Sequence, residues 1–120
     1  MTVKEFYEKL GGNYEEVVKR LMKEERVVKY LNKFLDNTDL DNLDNFLEEK
    51  NYPEAFRTVH SIKGVALNLN LDPLAEVSSV LCEELRNGEP QVDISNMLVD
   101  VKEKYKETKE LIEEFVNSQV

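Results

Sequence analysis

Tryptophan is absent from this chain, histidine and cysteine occur once each, and no apolar run approaches the roughly 20 residues needed to cross a bilayer. One cysteine, Cys82, excludes an internal disulfide, and one cysteine with one histidine cannot assemble a Cys/His zinc cluster. Positive charge is also short. Sixteen Lys and Arg against 25 Asp and Glu leave a net charge of −9, the wrong sign for a protein that neutralises nucleic-acid phosphates. The start, MTVKEFYEKL, alternates charged and apolar residues and has no signal-peptide core, so a cytoplasmic address without membrane attachment is the expectation. No Gly-rich nucleotide loop is present. The DNTDLDNLDN stretch has the acidic spacing of a calcium loop but lacks its central Gly, and Leu40, Leu43 and Phe46 within it fall at helical spacing. No metal site is expected.

What is present is a globular balance, with 41% apolar and 34% charged residues in 120, enough for one domain with its own core. No segment alternates with period two. Amphipathic helical patterns run almost end to end, punctuated by four glycines and three prolines. A first helix covers about Val3 to Leu10 and stops at Gly11-Gly12. Asn13 caps the next, with Glu16 in capping-box position. That pattern carries Val17, Val18 and Leu21, bends or breaks near Lys23-Glu24-Glu25, and continues through Val27, Leu31, Phe34 and Leu35. Thr38 is read as the cap of a helix that buries Leu40, Leu43, Phe46 and Leu47 and ends near Asn51. A fourth runs from about Pro53 to Leu69 and is closed by Asn70, a residue that tolerates the left-handed conformation. Asp72-Pro73 opens a fifth that ends at Gly88. The last and longest starts near Asp93, with Ile94, Met97, Leu98, Val101, Tyr105, Ile112 and Phe115 close to a 3.6-residue period. Short connections between such helices imply antiparallel neighbours. The expected fold is all-α: an up-and-down antiparallel four-helix bundle with additional N-terminal helices, forming a single domain over 1–120. The core bundle is placed at about 38–118 and the N-terminal helices at about 3–36.

The segment PEAFRTVHSIKGVALNL carries the chemistry. On a wheel of about 100° per residue with His60 at zero, Ala55, Val59, Ile62, Val65, Ala66 and Leu69 fall between roughly 140° and 260° and form the core stripe. His60 points away from it. Phe56, Arg57, Lys63, Gly64 and Leu67 lie within roughly 60° of His60. Gly64 in mid-helix costs about 1 kcal/mol relative to alanine, and clearance beside the imidazole is a reason to keep it. Phe56 and Leu67 are apolar on the outward face, as a docking surface requires. A neutral imidazole is a nitrogen nucleophile near neutral pH. Lys63, three residues on, can set an ammonium beside an incoming phosphoryl group. The chain can accept and donate such a group but shows no apparatus for taking one from ATP.

His60-Ser61-Ile62-Lys63-Gly64 resembles the HxxKG signature of histidine-containing phosphotransfer (HPt) domains. Tyr52-Pro53-Glu54-Ala55 is similar to that family's helix start, Ala66-Leu67-Asn68-Leu69 to its continuation, and Leu71 to Leu85 to its next antiparallel helix. The resemblance covers about Thr38 to Gly88 well and the flanking helices in pattern only. It implies that His60 is the phosphoacceptor, Lys63 helps hold the phosphate, and Gly64, Phe56, Arg57 and Leu67 serve access and docking. It also implies a receiver domain of a response regulator or a hybrid sensor histidine kinase as partner, with magnesium and catalytic groups on that partner and no cofactor here. The chain would then be a phosphorelay carrier, not a kinase. Two departures stand out: Asn70 where many members have Gly, and, by ungapped count, Cys82 where some members have a Gln that bonds the imidazole.

Plainer readings exist for each residue. A lone helix His is commonly a surface group, Lys63 alone an ordinary solvated lysine, Gly64 a helix-crossing point, and Cys82 a small buried hydrophobe. Glu24-Glu25, Glu48-Glu49 and the stretch from Lys102 to Glu114 read as solvated faces with paired charges. If HSIKG is incidental, the chain is a non-catalytic helical adaptor.

Overall fold

The structure, a computed structural model, describes residues 1–119. Among them the chain forms seven α-helices and one short 3-10 helix, with no strand. The α-helices are α1 (Val3–Leu10), α2 (Tyr14–Leu21), α3 (Glu24–Phe34), α4 (Leu43–Glu48), α5 (Tyr52–Asn68), α6 (Asp72–Leu85) and α7 (Ser95–Ser118). The expected all-α bundle is therefore what the sequence builds. α5 packs most extensively on α6, α6 packs on α7, and α4 and the 3-10 turn close over α5, while α1 and α3 lie against α7. No helix among the described residues is long and apolar enough to cross a membrane.

Local chemistry sets the boundaries. Thr2 and Glu5 form a reciprocal capping box at the start of α1. The box expected at Asn13 forms only by half. Asn13 Oδ1 accepts from the Glu16 N–H at 3.1 Å, but the Asn13 N–H is already donated to the Asn70 carbonyl at 3.4 Å. Gly12 permits that approach, since a Cβ there would fall 2.4 Å from the same carbonyl oxygen. The uncertain Lys23 region resolves as a break: Met22 turns left-handed at φ 70° and separates α2 from α3.

The expected helix from Thr38 needs correction. Asp39–Asn42 is a 3-10 turn and only Leu43–Glu48 is α-helical. The Thr38 side chain makes no cap bond. Asn37 Oδ1 takes the Asp39 N–H instead, at 3.0 Å, and the Asn37 carbonyl receives the Tyr105 hydroxyl at 2.7 Å. With Asn37 fixed to α7, the chain enters as a tight turn. Leu43 alone of this segment is fully buried, while Leu40, Phe46 and Leu47 are half-buried against the core.

One buried cluster joins both ends of the chain. Val3, Phe6, Tyr7, Val17, Val27, Leu31 and Phe34 from α1 to α3 pack with Ile62, Ala66, Leu74, Ile112 and Phe115. A second, with Leu43, Ala55, Val59, Leu81, Cys82, Leu85 and Val101, fills the other end of the bundle.

Candidate functional site

α5 is defined at both ends. Asn51 Oδ1 accepts the Glu54 N–H at 3.4 Å, and Pro53 occupies the first turn, where its missing N–H has no partner to lose. At the other end Asn70 adopts φ 51°. The Leu71 N–H reaches the Ala66 carbonyl at 2.9 Å, satisfying one of the helix's last carbonyls. Arg20 donates to the carbonyls of Leu67 and Asn68 at 3.2 Å each and to Asn70 Oδ1. His60 thus sits mid-way along a helix held from several sides.

Ala55, Val59, Ile62 and Ala66 are completely buried and Leu69 nearly so, while Val65 is half-buried. Each of the larger ones contributes on the order of 1.5–3 kcal/mol by leaving water. His60 lies on the opposite side and is exposed, as are Arg57 and Leu67. Phe56, Lys63 and Gly64 are half-buried. The site residues expected from the wheel therefore share one surface. A methyl group built on Gly64 meets nothing within 4 Å, so this glycine is not a helix-crossing point.

The neighbours of His60 are specific. Phe56 stacks on the imidazole, with centroids 5.5 Å apart and planes at 20°. The Arg86 guanidinium lies 5.6 Å from the Phe56 centroid and is fixed by Glu83 at 2.7 Å. Cys82 Sγ is 4.0 Å from His60 Nδ1. Burial pushes the Cys82 thiol up, against the opposing pull of Lys63 and Arg86. Ser61 donates to Asp39 Oδ2 at 2.9 Å, tying the 3-10 turn to the residue after His60.

Lys63 takes part in none of the ion pairs among the described residues. It lines an open depression of ≈ 500 Å³ with Leu67, Asp72, Ala75, Glu76, Ser79 and Val80. Arg57 turns to Glu54 on its own helix. Leu67 and Val80 are each 51% exposed and give this surface, shared by α5 and α6, an apolar character. No group of three His, Cys, Asp or Glu side chains is arranged to hold a metal among the described residues.

The family model for the Hpt domain matches residues 29–118, from within α3 to the end of α7. The chain belongs to the Hpt domain family. Membership implies phosphotransfer in phosphorelay signalling, with receiver domains and kinases as the interacting class, and a carrier's part in it. No curated protein and no solved structure matches the chain. In this Hpt domain sequence reasoning missed Arg86, Val80 and the Ser61–Asp39 bond. The signal for the first two was available: a three-residue connection from α5 to α6 pairs the helices antiparallel and sets the outer face of α6 beside His60. Nothing in local pattern pointed to Asp39, because its contact depends on how the 3-10 turn docks.

Proposed function

We propose that this Hpt domain carries a phosphoryl group on His60, accepting it from the phosphoaspartate of a receiver domain and passing it to another. The observation that supports this most is an exposed, mid-helix imidazole with clear space on its Gly64 side, where a side-chain carbon one turn on would meet nothing within 4 Å. Lys63 supplies an unpaired ammonium on the same face, worth most when a doubly charged phosphoryl group arrives. Leu67, Phe56 and Arg57 belong to the surface on which the receiver sits, and apolar exposure there favours docking. Magnesium and the groups that activate the aspartyl phosphate belong to the receiver, and this chain needs no cofactor of its own. A cytoplasmic carrier without kinase activity is the corresponding role.

Incubation with a phosphorylated receiver domain tests it. Acid-labile, base-stable phosphate should appear on the wild type and be absent from His60→Ala, and ATP alone should label neither. A chain that stays unlabelled by any phosphorylated receiver returns the adaptor reading.

A further inference from the structure

A second recess lies where α2 and α3 meet α5, with a volume of ≈ 570 Å³, inside the range of small-molecule sites. It shares no residue with the depression that Lys63 lines. Arg20 and Leu21 come to it from α2, ahead of the stretch that the family model matches. Much of its wall is apolar: Phe34 and Leu69 are buried, Leu21 and Val65 are half-buried, and Tyr30 is exposed. In a chain of net charge −9, none of its nine lining residues is acidic and two, Arg20 and Lys33, are basic. We propose that this recess binds a small amphipathic monocarboxylate, its carboxylate on Arg20 with Lys33 beside it and its apolar body against Tyr30, Phe34 and Leu69.

Arg20 selects the carboxylate. Its Nη1 donates to the carbonyls of Leu67 and Asn68 and to Asn70 Oδ1, so the C-terminal end of α5 holds the guanidinium in place. Nε and Nη2 have no hydrogen-bond partner among the described residues. On a planar guanidinium these two nitrogens aim N–H bonds the same way, a fork that matches the two oxygens of a carboxylate. A fork fixed before the ligand arrives has less ordering left to do on binding. Arg20 forms no ion pair among the described residues. Asp72 feels its charge but does not line the recess. Lys33 is likewise in no ion pair among these residues, and its ammonium stands 5.8 Å from the Tyr30 centroid. A bare inorganic anion would leave the apolar wall in water, whereas an apolar body attached to the carboxylate covers it.

Naphthalene-2-acetate and its neutral amide are probes of one shape that differ in charge, and ¹H–¹⁵N NMR titration of the whole chain reads both. The acid should shift the amides of Arg20, Leu21, Tyr30, Phe34, Val65 and Leu69. The neutral probe should bind about tenfold more weakly, the scale of one charge-assisted pair. Arg20→Lys keeps the charge but loses the fork, and should weaken the acid by about the same factor. If that variant does not fold without its bonds to the end of α5, Lys33→Gln and Tyr30→Ala carry the test, each weakening the acid roughly threefold. The inference is overturned if the acid fails to bind at about millimolar concentration, if acid and amide bind alike, or if the acid shifts the Lys63 depression instead. Variants that bind the acid as the wild type does would overturn it as well. So would shifts at the recess that follow protein concentration without any ligand, since a second copy of the chain would then be its occupant. None of these readouts depends on phosphate at His60.

Discussion

The two faces of α5 are made by the same 17 residues and obey different rules. On one, Ala55, Val59, Ile62 and Ala66 are wholly buried, and their identity answers to volume and shape. On the other, His60, Lys63, Gly64 and Leu67 are open to solvent or half-open, and packing would accept almost any helix former there. A glycine at position 64 is poor for the helix, and the structure offers no packing reason for it. Where stability does not choose a residue, the reason for it is sought in what reaches the surface from outside.

The widest separation of the faces should come from His60→Ala against Ile62→Ala. The first should abolish phosphate acceptance while moving stability by no more than about 0.5 kcal/mol. The second should cost about 2–5 kcal/mol in denaturant unfolding, yet leave the folded fraction able to accept phosphate. If His60→Ala unfolds the protein, the outward face is structural after all. Next in size, Lys63→Gln should slow transfer from a receiver by roughly tenfold, the scale of one partly screened charge-assisted hydrogen bond, with an unchanged melting curve.

Gly64 sharpens the comparison because fold and function should respond in opposite directions. Gly64→Ala should stabilise by up to about 1 kcal/mol. Gly64→Gln should fold but slow transfer from a receiver, and should slow labelling by phosphoramidate much less, since a small donor needs no docking surface. Normal transfer by a folded Gln variant would remove the clearance argument.

The smallest effect is one of pH on the core side. Burial raises the Tyr7 hydroxyl above its ordinary value, with Asp72 adding to the shift, and the same hydroxyl donates to the Leu69 carbonyl at 2.7 Å. A group whose folded pKa is raised contributes stability that is complete below its unfolded value, about 10 for tyrosine, and is lost as pH climbs toward the folded value. Stability should therefore decline above about pH 10. Tyr7→Phe should flatten part of that decline in pH-dependent unfolding, although the variant loses about 1 kcal/mol at neutral pH with its hydrogen bond.

What could be read in advance was whatever depends on residues close in sequence. The bounds of α1 and the helical wheel of α5 follow from caps, glycines and 3.6-residue spacing, and the exposure of His60 follows from the wheel. Contacts between elements were legible only in part. The count that set Cys82 across from His60 gave the neighbourhood, but not that sulfur would meet Nδ1. The Asn13 box was half wrong because Asn70, distant in sequence, claims the Asn13 N–H. The Thr38 helix came out shorter because Asn37 is bound to Tyr105 on α7. In each case a partner dozens of residues away overrode a sound local signal.

The shared cluster of α1, α2 and α7 has a practical side. The stretch that carries the family's sequence signal begins at residue 29, yet Val3, Phe6, Tyr7 and Val17 are buried against the same side chains as Ile112 and Phe115. A fragment cut at the family boundary would keep His60 and every neighbour named around it while laying bare one flank of α7. Such a fragment should be prone to self-association through that flank, and a weak phosphotransfer signal from it would report the excision, not the chemistry of the histidine.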